Sequence, residues 1–210
     1  MPPVYVSAAV EGLVDEAVVQ RLIEHAGGVP GPVYGKNGKP ALRSRVRGYD
    51  NAARHAPWIL LVDLNAEQEC APQLRAAWLP AAAPQLCFRV AVRAIEAWLL
   101  ADPERMARFL RIAKTRVPRE PESVQDPKRA LVDLARASRL RAIREDMVPR
   151  EGSGRPVGPA YVSRVIEYVR SEWRPDVAAS RSESLRRAIA CLQRLVGGPG
   201  AAPDTGGLFS

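Results

Sequence analysis

Five consecutive apolar residues, Trp58-Ile59-Leu60-Leu61-Val62, preceded by Pro57 and ended by Asp63, constrain this chain more than any other feature. A run without alternation has no solvated face. As a strand it must be covered on both sides, the habit of parallel sheets. Other β-prone runs occupy residues 4–10, which end in Glu11-Gly12, and 85–92, with a weak one around Val33-Tyr34. Helical spacing joins Leu13, Val14, Ala17, Val18, Leu22 and Ile23 until Gly27-Gly28 stop it. Further helices are expected from about Pro40 to His55, from Cys70 to Leu79, and from Ala94 to Leu110. Alternating strands and helices predict an α/β fold, a mostly parallel sheet flanked by helices. After Pro121 the pattern changes: 126–146, 159–172 and 180–196 have helical period and no strand pattern. Ser182 is placed to cap the last of these, and Leu185, Ile189, Leu192 and Leu195 form its apolar stripe. The expected division is an α/β core over 1–118, a helical extension over 119–196 packed on it, and a disordered tail over 197–210.

Several classes are excluded. No apolar run approaches the ~20 residues that span a bilayer, and the N-terminus lacks the pattern of a signal peptide. The three cysteines, Cys70, Cys87 and Cys191, are odd in number and far apart, which argues against a disulfide framework or a cysteine zinc site and points to a reducing cytoplasm. With His25 and His55 as the two histidines, multi-histidine catalysis is disfavoured. The net charge is +8 and uneven: residues 1–99 carry ten Lys/Arg against nine Asp/Glu, residues 100–210 twenty-one against fourteen. A basic second half favours nucleic acid or another polyanion as partner. A GC-rich coding bias is the competing explanation, since four of the 31 basic residues are lysine (Lys36, Lys39, Lys114, Lys128). No aromatic stacking motif is interleaved with the basic residues. Arg186/Arg187 and Arg139/Arg141 are candidate phosphate contacts or solvated helix faces.

Ligands of open α/β sheets sit beyond the carboxyl ends of the strands, and here those ends are acidic. The first strand runs into Glu11, with Asp15 and Glu16 on the following helix; the apolar strand ends at Asp63, followed by Asn65, Glu67 and Glu69; the strand at 85–92 leads to Glu96. Clustered hard oxygen donors suit Mg²⁺ or Mn²⁺. Neither a Walker A loop nor Gly-x-Gly-x-x-Gly is present, which disfavours P-loop and dinucleotide enzymes. The helix dipole alone would explain Asp15, Glu16 and Glu69, and solvation would explain Glu67. Asp63 closes a very apolar run, and Glu11 precedes a glycine that permits a tight turn or a close approach, so these two read as functional.

The arrangement Val10-Glu11-Gly12-x-x-Asp15-Glu16, with a buried strand ending Val62-Asp63-x-Asn65, resembles the TOPRIM domain of topoisomerases, primases and overcoming-lysogenization-defect (OLD) nucleases. Residues 4–196 also resemble a bacterial TOPRIM-like family of unknown function. That likeness rests on Arg93-Ala94-Ile95-Glu96-Ala97-Trp98-Leu99-Leu100-Ala101-Asp102, on Asp126-Pro127-Lys128 and on Gly158-Pro159-Ala160-Tyr161. The resemblance implies a TOPRIM-like fold, with Glu11 as metal ligand or acid/base residue, Asp63 as the first aspartate of an Asp-x-Asp pair, and Asp15 and Glu96 serving a second metal. Asn65 stands where the pattern has its second aspartate. A neutral amide oxygen there predicts weak metal binding and a preference for Mn²⁺.

The expected function is a Mg²⁺- or Mn²⁺-dependent nuclease. Glu11, Asp15, Asp63, Asn65 and Glu96 would be the metal ligands, and Glu11, Asp63, Glu96 and Arg93 the catalytic set. Arg93 would meet the scissile phosphate or else pair with Glu96 three residues on. DNA is the favoured substrate over RNA, and the resemblance to OLD-like proteins implies an ATPase partner and phage defence. The alternative is a degenerate, non-catalytic TOPRIM-like module that binds nucleic acid or a partner protein.

Overall fold

A computed structural model describes residues 2–65 and 70–197. β1 (Tyr5–Val10) leads into α1 (Leu13–His25), and β2 (Val29–Gly35) is followed by α2 (Lys39–Ser44) and α3 (Val46–Ala52). β3 (Trp58–Asp63) precedes α4 (Ala71–Trp78), and β4 (Leu86–Ala91) precedes α5 (Ile95–Leu100) and α6 (Pro103–Leu110). Two 3-10 turns, Lys114–Arg116 and Pro121–Ser123, connect to α7 (Pro127–Arg136), α8 (Arg141–Met147), α9 (Tyr161–Ser171), α10 (Pro175–Ala179) and α11 (Glu183–Gly197). The four strands form one all-parallel sheet in the order β2-β1-β3-β4. The fold is therefore α/β with helices on both faces of a parallel sheet, a layout consistent with a TOPRIM-like fold. Among the described residues no helix is long and apolar enough to cross a membrane.

β3 shows why its sequence lacks alternation. Ile59 and Leu61 enter a core shared with α1, α5 and the helices from α6 onward, while Trp58, Leu60 and Val62 enter a second core with α2, α3 and α4. Burying each such side chain contributes roughly 1.5–3 kcal/mol. The first core is continuous through the C-terminal helices: α1 packs on α9, α5 on α7, and α11 on β4.

Local differences from the expectation have local causes. β2 is a full seven-residue strand despite Pro30 and Pro32; it lies at the sheet edge, where a missing N–H is tolerated, and its register to β1 shifts between Val6 and Ala8. Gly35 ends it at φ +90°, and a Cβ there would collide with the Val10 carbonyl oxygen. The single helix expected over Pro40 to His55 is two, broken where Arg45 leaves helical angles. The helix expected over Ala94 to Leu110 breaks at Asp102. That residue caps α6 by accepting from the Arg105 N–H at 3.3 Å, and its carboxylate takes two bonds from the Arg174 guanidinium, at 2.9 and 2.8 Å. The segment over 126–146 likewise divides into α7 and α8. Ser182 caps α11 as expected, accepting from the Leu185 N–H at 3.2 Å. Gly197 ends α11 rather than opening a tail; Glu67, Glu69 and the rest of the tail lie outside the described residues.

The cysteine expectation is corrected. Cys87 on β4 and Cys191 on α11, 104 residues apart, form a disulfide with Cα atoms 6.0 Å apart, and Cys70 is unpaired. Sequence spacing could not show this, because the pairing depends on which helix packs on β4. The argument from cysteine usage to a reducing compartment loses its basis. Native disulfides closing loops of this length stabilise by about 2–5 kcal/mol. Cys191→Ser should therefore lower the unfolding free energy by roughly 2–4 kcal/mol in urea titrations without reductant. The two proteins should unfold alike once dithiothreitol is added. Equal stability of the wild type with and without reductant would show that the bond does not form.

Candidate active site

The carboxyl ends of β1 and β3 and the segment joining β4 to α5 meet in one place. Glu11 directly follows β1. Gly12 has extended angles that any residue adopts, so the tight-turn reading of this glycine does not hold. The close-approach reading does, since a Cβ on Gly12 would stand 3.1 Å from Asp15 Oδ2. Asp15, in the first turn of α1, is buried, and its Oδ1 has no hydrogen-bond partner.

Asp63 joins these elements. Its backbone N–H donates to Glu11 Oε1 at 2.8 Å, and its Oδ1 accepts from the Ile95 N–H at the start of α5 at 2.9 Å. Its carbonyl accepts from the buried Lys39 Nζ at 2.8 Å. Glu96, one residue further along α5, is 1% exposed. Its Oε1 accepts from the Tyr161 hydroxyl at 3.1 Å and faces Lys128 Nζ at 3.5 Å, while its Oε2 has no partner.

Four carboxylates thus share one buried region, and their charges oppose one another. Burial, with Glu11 and Glu96 nearby, pushes Asp15 up to about 7. Burial and the charges of Asp15, Glu96 and Glu11 push Asp63 well up. The Glu96 charge holds the Lys128 ammonium above the ordinary lysine range. Burial, then Glu96, holds the Tyr161 phenol above its ordinary range, so it remains a donor.

Two cavities open onto this region, and Asp63 and Lys128 line both. One, of about 340 Å³, adds Asp15 and Glu96 to an apolar wall that includes Leu13, Val157 and Val162. The other, of about 630 Å³, is lined by Asn65, Arg93, Gln125 and Asp126. Asn65 belongs to this second cavity; it is exposed, at φ +54°, where asparagine is tolerated better than most residues. Arg93 is half-buried and is not the partner of Glu96; among the described residues no carboxylate pairs with it.

The sequence reading missed Lys128, Tyr161 and Lys39 as site residues. Asp126 caps α7 by accepting from the Arg129 N–H at 2.8 Å, with Pro127 in the first turn, and this sets Lys128 at Glu96. Gly158 packs so closely that a Cβ would collide with the Asp146–Met147 backbone, and three residues later Tyr161 begins α9. Of the arginines singled out on the helices, Arg186 and Arg187 pair with Glu183, and Arg141 with Glu145.

The chain was also compared with known proteins. No protein-family model, curated protein or solved structure matches it. Of the residues in the sequence motifs, Asp63, Arg93, Glu96, Lys128 and Tyr161 line the two cavities and Glu11 accepts from the Asp63 N–H beside them, whereas Trp98 and Asp102 are structural. Trp98 is buried and donates from Nε1 to Ser184 Oγ at 2.7 Å.

Hard carboxylate oxygens, two of them buried without a partner, are what Mg²⁺ or Mn²⁺ takes. Among the described residues, however, no three His, Cys, Asp or Glu side chains already stand as a ligand set for one ion. The chemistry fits, and the side chains would have to turn to close on an ion.

The upward shift of Asp15, caused first by burial and then by the neighbouring acids, has a measurable consequence. The folded value of Asp15 lies above its unfolded value near 4, so its stabilising contribution is complete below about pH 4 and lost as pH rises through 7. In EDTA, Asp15→Asn should be more stable than wild type at pH 8 by roughly 1–3 kcal/mol, and the gap should narrow below pH 7 and close near pH 4. Parallel stability-against-pH curves for the two proteins would rule out the raised Asp15 value.

Proposed function

We propose that this chain is a divalent-metal-dependent nuclease of TOPRIM-like type. The observation that carries this reading is the convergence of Glu11, Asp15, Asp63 and Glu96, with Asp15 Oδ1 and Glu96 Oε2 buried and unpartnered. Those two buried carboxylate oxygens are costly to leave unpartnered, and a cation answers them. Glu11, Asp15, Asp63 and Glu96 would hold Mg²⁺ or Mn²⁺, with Asn65 in reach of the outer cavity. When bound, such an ion supplies activation of water and neutralisation of charge at a phosphodiester.

The chain's own residues do the rest. Ile95 N–H fixes one oxygen of Asp63. Tyr161 and Lys128 fix one oxygen of Glu96 and leave the other for a ligand. Arg93 lines the outer cavity beside Asp63, where its planar fork can take a phosphate. DNA is the favoured substrate; an ATPase partner and a role in phage defence rest on the resemblance to OLD-like proteins alone.

One observation favours a second reading, a module that binds without cleaving: no ready ligand set exists among the described residues. Plasmid nicking and RNA cleavage in Mn²⁺ or Mg²⁺ separate the two. Wild type should cleave, more readily with Mn²⁺, while Glu11→Ala and Asp63→Asn should be inactive. Lys128→Ala and Tyr161→Phe, which loosen Glu96 rather than remove a ligand, should lose about 10–100-fold. A saturating cation should also stabilise wild type, by about 2.7 kcal/mol at a hundred times Kd, and fail to stabilise Asp63→Asn. No cleavage of any substrate and no cation-dependent stabilisation would shift the assignment to the binding module.

A further inference from the structure

A feature of opposite charge lies along the other side of β4. β4 pairs only with β3 in the described sheet, so its outer edge is open. A cavity of about 180 Å³ follows that edge between α4 and α11, lined by Arg75, Arg89 and Arg187 with Ser184, Glu122 and Glu183. Arg89 sits inside it. Strand alternation places Arg89 with Cys87 and Ala91 on the α11 face, and its side chain is half-buried. Its Nε is fully buried without a hydrogen-bond partner, and no carboxylate among the described residues pairs with it.

The neighbours do not neutralise it. Burial, with Arg75, Arg194 and Arg187 around it, lowers Arg89 to about 10, the direction that missing counter-charge gives. Glu183 is shared between Arg186 and Arg187. Glu122 is committed to the start of α11, accepting from the Ser184 N–H at 2.9 Å and from the Ser182 hydroxyl at 2.6 Å. An unpaired, partly desolvated guanidinium is costly unless a ligand completes it.

We propose that this cavity is a phosphate site, in which Arg75, Arg89 and Arg187 close on a phosphate-type oxyanion. The guanidinium forks match its oxygens in pairs, and the volume suits one such group. The source is either the backbone of a nucleic acid or a free phosphate compound. The site shares no residue with the carboxylate region and does not depend on the nuclease reading.

The test uses the full chain in EDTA, so that cation-mediated phosphate binding at the carboxylates is absent. Inorganic phosphate is titrated at constant ionic strength, read by calorimetry and by melting temperature. Saturable binding is expected, weakened at least tenfold in Arg89→Gln and in Arg75→Gln, and unchanged in Arg47→Gln, an exposed arginine on α3 outside the cavity. Arg75 and Arg187 are exposed, so Arg75→Gln and Arg187→Gln carry the test if Arg89→Gln does not fold. A labelled single-stranded oligonucleotide forms the second arm. Displacement by phosphate, with the same loss in the variants, identifies nucleic-acid backbone as the source. Phosphate binding without such competition identifies a free phosphate compound. Non-saturating effects of phosphate, equal in wild type and all three cavity variants, would overturn the site.

Discussion

The hydrogen bonds around Asp63 are what the arrangement of this molecule turns on. Its amide reaches Glu11 at the end of β1, its carboxylate reaches the start of α5, and its carbonyl reaches Lys39 on α2. Three separate segments are thereby tied to the last residue of the most apolar strand. The tie keeps acids close that would otherwise separate. The web supplies directional donors where neighbouring acids supply repulsion, and it does so with backbone groups that cannot rotate away. Sites held under such opposition are where perturbed protonation concentrates.

The same sheet carries the opposite problem along its β4 edge. There Arg89 lies beneath α11 with Arg75, Arg187 and Arg194 around it. The Cys87–Cys191 bond joins that strand to that helix, with Cys191 lying between Arg187 and Arg194 in sequence. Like charges on packed elements push those elements apart, and a covalent link between β4 and α11 opposes the push. The molecule thus concentrates negative charge at the strand ends and positive charge along one edge, and each concentration is held by structure rather than by counter-ions from the other.

Much of the architecture was legible because burial writes itself into composition. Trp58 to Val62 could be read as a strand covered on both faces, and Ser182 as a cap, since local chemistry decides both. The length of β2 was not legible, because Pro30 and Pro32 argue against a strand unless it is known to lie at an edge. The Cys87–Cys191 bond and the roles of Lys128 and Tyr161 were illegible for a shared reason. Each depends on which helix docks where, and no periodicity records that. Glu11, Asp15, Asp63 and Glu96 were found by their positions after strands, and the structure brings them together. Arg93 and Asn65 came from the same reading, but they line the neighbouring cavity beside Asp63.

The scarcity of lysine acquires a meaning from the fold. In a chain with 27 arginines and four lysines, Lys39 and Lys128 reach into the carboxylate region, and Lys36 bonds Glu16 at 3.1 Å in the loop after β2. A compact ammonium has been kept where a broad guanidinium would crowd the acids. Lysine amines can be acylated and arginines cannot be by the same reagents. Among the described residues, lysine amines open to such labels are therefore few: exposed Lys114 in the first 3-10 turn, Lys36 beside Glu16, and Lys128 at this opening. Lys128, whose side chain is half exposed, is in effect a built-in reporter of whatever enters it.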